Sequence, residues 1–234
     1  MAQIFSFPDH ASMHRDRQPA RPQDVPDAVW HAVLSVHGMP MVEGVQFHEV
    51  PVPRSIAEYG IGVGIVRAGD TAQTGTRPAD RGDGFGRHPG HGDVGFDAPV
   101  DVHRIVDEAA WGWITLLYSS DPPRHWNSRW RCAAFCRIPA SPGHEHDTDA
   151  RYTAHCWEAV NAILREAGAD ASSIAGTVTV SRDTFFGVAP NDLSARYELR
   201  ASWTPPAAGT GGRDGVDAGI QVTQWAKLIA QGID

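Results

Sequence analysis

The spacing of apolar side chains divides this chain into helical and extended stretches. Val29, Trp30, Val33, Leu34 and Val36 fall at helical spacing after Pro26-Asp27, where proline suits a first turn and aspartate complements the helix dipole. Gly38 and Pro40 end that helix. Val45-Gln-Phe-His-Glu-Val-Pro-Val alternates apolar with polar residues and predicts a strand stopped by Pro51 and Pro53. From Tyr59 to Arg67 glycine alternates with Ile61, Val63 and Ile65, a row that can approach another backbone closely or sit at a sheet edge. Trp111-Gly-Trp-Ile-Thr-Leu-Leu-Tyr-Ser and Trp130-Arg-Cys-Ala-Ala-Phe-Cys-Arg-Ile-Pro read as paired strands. After Asp147-Thr-Asp-Ala, the positions Tyr152, Cys156, Ala159, Val160, Ile163 and Leu164 keep the 3.6-residue period to Gly168. Two more strands follow, from Gly176 and from Tyr197, and Ile220, Val222, Trp225, Leu228 and Ile229 predict a last amphipathic helix.

The predicted order is therefore one helix, four strands, a helix, two strands and a helix. Hairpin-like connections dominate over βαβ crossings. We expect an α+β fold, with a mainly antiparallel sheet of about six strands and helices packed on one face.

Two stretches lack an apolar period. Residues 1–24 mix His, Arg, Asp, Gln and Pro and are expected to form a loose tail before a single domain over residues 25–234. Residues 68–107 are rich in Gly, Asp, Arg, His and Pro and read as a flexible insertion, because they bury too little apolar surface to offset the entropy of ordering. With 234 residues and 41% hydrophobic content the chain can build a proper core.

Charge and cysteine usage narrow the function classes. A formal net charge of -8 disfavours a protein whose main role is to coat nucleic acid or anionic membrane. There is no basic start followed by an apolar run, nor a stretch of about 18 apolar residues, so no membrane association is expected and the location is expected to be cytoplasmic. Cys132, Cys136 and Cys156 lack the density of a secreted disulfide scaffold and are expected to be reduced. Lys227 is the only lysine, a usage that suggests a genome of high GC content.

Several residue groups invite a chemical reading. His88, His91, Asp93 and His103, and the run His144-Glu-His-Asp147, carry metal-ligating groups but no rigid ligand pair such as two histidines four apart on a helix, so neither a metal nor any other cofactor is expected. Cys132 and Cys136 share a face of an extended strand but lie about 13 Å apart by the ordinary rise, too far to hold one ion, and read as core residues. Gly60-Ile-Gly-Val-Gly does not open a helix as a phosphate-binding loop should, and Arg81-Gly-Asp83 is a chance-level match. Arg124, Trp126, Arg129, Trp130 and Arg131 interleave cations with aromatics, the pattern that stacks bases and neutralises phosphates. The simpler reading has the tryptophans packing at a hairpin end while the arginines reach water. Arg182, Asp183, Glu198 and Arg200 suit cross-strand ion pairs, and no Ser-His-Asp, Cys-His or paired-carboxylate arrangement can be assigned.

Glu49 to Pro53, Trp157, Gly176-Thr-Val-Thr179, Arg200-Ala-Ser-Trp-Thr-Pro205 and Trp225 together resemble the pattern of an actinobacterial family known only as a domain of unknown function, DUF 3000. Trp126 with Phe135 is similar to that family's hairpin. The Arg-Ala-Ser-Trp-Thr-Pro match is the specific part. Residues 1–24 have no counterpart in the pattern, and the family implies no active site. In element order the chain is also similar to small type III secretion chaperone-like domains. The expectation is a non-catalytic binding, chaperone-like or regulatory protein with a protein partner. The candidate surface comprises Arg124, Trp126, Arg129, Trp130, Arg131, Arg200 and Trp203. RNA association through the Arg/Trp hairpin and an enzyme with an unrecognised site are the alternatives.

Overall fold

A computed structural model describes residues 20–67, 110–140, 150–184, 193–207 and 215–233. The insertion expected at 68–107, both histidine groups and the expected tail up to residue 19 lie outside the described residues. Residues 20–24 are described: Arg21 Nε donates to the Val25 carbonyl at 3.1 Å, and Tyr59 donates its hydroxyl hydrogen to the Asp24 carbonyl at 2.8 Å.

The elements run α1 (Asp27–His37), β1 (Val45–Glu49), β2 (Tyr59–Arg67), β3 (Trp111–Tyr118), β4 (Trp130–Pro139), α2 (Ala150–Glu166), β5 (Ala175–Thr184), β6 (Leu193–Trp203) and α3 (Ala218–Gln231). The class is α+β, with one six-stranded sheet whose neighbouring strands all pair antiparallel in the order β1-β2-β3-β4-β6-β5. β1 to β4 form a meander. The chain then crosses through α2, lays down β5 one place away, and returns through β6 into the gap. β5 is left on the edge.

Side chains alternate across a strand, so the register sorts every strand residue onto one of two faces. Val63 opposes Ile114, Ile114 opposes Ala134, and Ala134 opposes Ala201. That parity puts Ile61, Val63, Ile65, Leu116, Tyr118, Cys132, Cys136, Ile138, Tyr197, Leu199 and Trp203 on one face, all buried in the core with residues of the three helices. α3 runs against β2, β3 and β4, and α1 and α2 lie on either side of it. Of the five positions that predict it, Val222, Trp225, Leu228 and Ile229 are buried and Ile220 is exposed.

Polar groups fix how the helices sit. The Asp217 carboxylate accepts from the Ile220 N–H at 3.1 Å and caps α3. At the other end Arg67 Nη2 donates to the Ile229 carbonyl at 2.9 Å. Gln221, 1% exposed, accepts from the Trp203 indole N–H at 2.8 Å and donates to the Ala167 carbonyl at 2.8 Å. Its removal would leave two buried groups unpaired. The Trp225 indole donates to the Phe135 carbonyl at 3.2 Å and pins α3 to the middle of the sheet.

The glycine row of β2 faces away from this core, where a Cβ on Gly62 would collide with the Val50 carbonyl and one on Gly60 with the Val52 side chain. The close backbone approach that the alternation suggested is thus made by the segment following β1. At Gly176 a Cβ would strike the Trp157 indole and the Arg200 carbonyl, so glycine there lets α2 anchor on β5.

Candidate functional site

The opposite face of the sheet carries no helix among the described residues. Its rows are Trp111, Trp113, Thr115 and Leu117 on β3, Arg131, Ala133, Phe135 and Arg137 on β4, and Arg196, Glu198, Arg200 and Ser202 on β6. Phe135 is the hub. Its ring centroid lies 5.3 Å from that of Trp111 and 6.2 Å from that of Trp113, and the Arg200 guanidinium sits 5.2 Å above it. Arg137 lies over Trp111 at 5.6 Å and binds Glu198 at 2.9 Å. Arg200 approaches the same carboxylate at 3.4 Å and keeps 57% of its side chain exposed. The described side chains of these three rows include four arginines and one carboxylate, a positive patch on a chain of net charge -8.

Strand parity divides the residues singled out from the sequence. Arg131 and Arg200 face this surface, whereas Trp130 (3% exposed) and Trp203 (0%) face the core. Trp203 lies three residues from Arg200, an odd separation that turns it to the opposite side of the strand. Its ring centroid is 6.1 Å from that of Trp225. Trp130 packs edge-on against Tyr118 at 5.1 Å. Trp126 belongs to the short turn Arg124–Trp126 and is 7% exposed. The idea that these tryptophans form an exposed aromatic surface is thereby corrected: burying a large ring outweighs presenting it to water.

The arginines of the hairpin divide as well. Arg124 and Arg129 are exposed. Arg131 donates to the Ser202 hydroxyl at 2.7 Å and to Thr204 Oγ1 at 3.2 Å, and Thr204 in turn donates to the Trp126 carbonyl at 2.8 Å. These bonds tie the Trp126 turn to the end of β6. Loss of hydration around Arg131 lowers its pKa below the usual guanidinium range, although it stays charged at neutral pH.

Trp111, Trp113, Arg137 and Arg196, with Phe135 buried beneath them at 7% exposed, are the residues of this face that sequence reasoning missed. β3 is apolar in both phases of its alternation, so its pattern cannot say which phase faces the helices. The spacing Arg131-x-Ala133-x-Phe135-x-Arg137, read at a period of two, was the available signal.

The other candidate chemistries place simply. Cys132, Cys136 and Cys156 are buried in the core, and burial pushes all three thiol pKa values up, that of Cys156 to about 11. They are protonated and inert at neutral pH. No cluster of three His, Cys, Asp or Glu residues suited to a metal ion occurs among the described residues. A cavity of about 340 Å³ opens between α1 and α3, lined by Ser35, Met39, Asp217, Ile220, Thr223 and Gln224 among others. The only titratable side chain in its lining is Asp217, which is already engaged in capping α3.

The arrangement is that of an α+β domain with all described helices on one side of an open antiparallel sheet and a cationic, aromatic surface on the other. The family model described as "Protein of unknown function (DUF3000)" matches residues 25–232, and the chain belongs to that family. No curated protein and no solved structure matches it. No described helix is long and apolar enough to cross a membrane.

Proposed function

We propose that this chain is a non-catalytic cytoplasmic binding protein, chaperone-like or regulatory in role, that holds an acidic protein segment on the helix-free face of its sheet. The observation that carries this reading is the Trp111, Trp113 and Phe135 cluster set among Arg131, Arg137 and Arg200. The part-exposed Trp111 and Trp113 rings, backed by the buried Phe135, supply contact area at little entropic cost, and guanidinium groups recognise carboxylates by paired hydrogen bonds. The single glutamate, Glu198, holds Arg137 and Arg200 in place and leaves positive charge in excess.

The same observation moves the candidate surface. Arg131 and Arg200 remain in it, Arg124 and Arg129 extend it at the hairpin end, and the three tryptophans first grouped with them support it from the core. For RNA, the chain's net charge and the burial of the hairpin tryptophans both count against binding. For catalysis, Glu198 is occupied by two arginines and the cavity between α1 and α3 holds no acid–base pair.

Fluorescence anisotropy with a labelled glutamate-rich peptide tests the reading. The peptide is expected to bind, more weakly as salt rises, and Arg200→Glu is expected to weaken binding by about tenfold. Absence of peptide binding at low salt overturns the proposal. Binding of single-stranded RNA in preference to the peptide overturns it in favour of a nucleic-acid role.

A further inference from the structure

The two edges of the sheet are built differently. β1 is five residues long and runs into Pro51 and Pro53, which cannot donate to a further strand. β5 is ten residues long, Ala-Gly-Thr-Val-Thr-Val-Ser-Arg-Asp-Thr, with no proline, and Ala175, Gly176, Thr177, Thr179 and Arg182 are exposed along it. Its Val178 and Val180 are only partly buried against the core. A long, β-branched edge without a proline, uncharged from Ala175 to Ser181 and charged only at Arg182 and Asp183, is a template for strand addition.

We propose that this edge pairs with the same edge of a second copy of the chain, β5 against β5′ antiparallel about a two-fold axis at Thr179. The argument for self-pairing is the match that this register makes. Val178 meets Val180′ on the helix-bearing face, and Thr177 meets Ser181′ and Thr179 meets Thr179′ on the other. These are apolar–apolar and hydroxyl–hydroxyl pairs, the combinations that stabilise neighbouring strands.

Charge fits the same register. Arg182′ stands opposite Gly176, the residue with no side chain, over which the Trp157 indole lies. Its guanidinium can therefore reach the face of that indole twice per dimer, a cation–π contact that either strand alone lacks. The two Arg182 residues are separated by six residue steps, about 20 Å, so like charges do not meet. Because the axis stands perpendicular to the sheet, the two six-stranded sheets join into one continuous sheet, with both Arg200 surfaces on the same side. The pairing does not depend on what that surface binds.

Sedimentation of the full chain over a concentration series, with site-specific crosslinking, tests the register. Wild type is expected to dimerise. Thr179→Cys is expected to form a disulfide-linked dimer under mild oxidation, because directly opposed Cβ atoms lie about 5 Å apart. Thr177→Cys is expected not to do so, its symmetry mate being about 13 Å away. The three native thiols are buried and do not compete. Arg182→Glu is expected to weaken dimerisation severalfold without changing the circular dichroism spectrum. A chain that stays monomeric at all concentrations overturns the proposal and leaves the edge to a foreign strand. Equal crosslinking of Thr177→Cys and Thr179→Cys overturns the register.

Discussion

The two faces of the sheet are made from the same strands yet obey different rules. On the helix side, Ile114, Leu116, Cys132, Leu199 and Trp203 are fully buried, and the polar side chain among them, Gln221, has both ends hydrogen-bonded. On the other side Trp111 and Phe135 are covered by Arg137 and Arg200 instead of by a helix, and Trp113 stacks beside Phe135. Neighbouring residues on one strand, such as Trp130 and Arg131, therefore serve packing and surface chemistry respectively. An Arg/Trp run in a sequence is a mixture of two faces until the register separates it.

Substitution at the two ends of one short segment should break the symmetry between the faces most clearly. Trp203→Ala removes a fully buried ring and unpairs Gln221, and is expected to cost about 3–5 kcal/mol in urea unfolding. If the loss were under about 1 kcal/mol, Trp203 would not be a core residue.

A smaller effect should come from pH. A thiol whose pKa is raised by folding stabilises the protein fully below the ordinary thiol value of 9.0, and this stability is lost as pH rises above it towards the folded value. For Cys156, with a folded pKa of about 11, the loss is about 1.4 kcal/mol per pH unit within that window. Comparing wild type with Cys156→Ala at pH 7.5 and pH 10 isolates it. The extra alkaline loss of the wild type should be absent from the variant.

The smallest stability effect is expected on the outer face. Arg200→Ala removes an exposed guanidinium whose ion pair with Glu198 is weakly held at 3.4 Å, and should change stability by less than about 1 kcal/mol. Thermal unfolding checks this, and a larger change would make Arg200 part of the scaffold instead of the binding surface.

Much of the fold was legible in the chain. The mixed class and the antiparallel sheet follow from alternation at Val45–Glu49 and helical periods at Tyr152–Leu164 and Ile220–Ile229. The candidate site was legible only in pieces. Arg131 and Arg200 were visible, but Trp203 was grouped with Arg200 because proximity in sequence was allowed to stand for proximity on a surface. Trp111 and Trp113 lie on a strand that is apolar in both phases, and Phe135 stands out only when Arg131 to Arg137 is read at a period of two.

By itself the sequence determined where helices and strands lie, since local periodicity depends only on backbone geometry and on which side chains avoid water. The tertiary structure alone decided that β6 enters between β4 and β5, leaving Thr179 on an edge strand of the sheet that the described residues form, and that Phe135 and Arg200 meet across two strands. Strand order and register arise from pairings between distant residues, and no local pattern records which partner a strand will take.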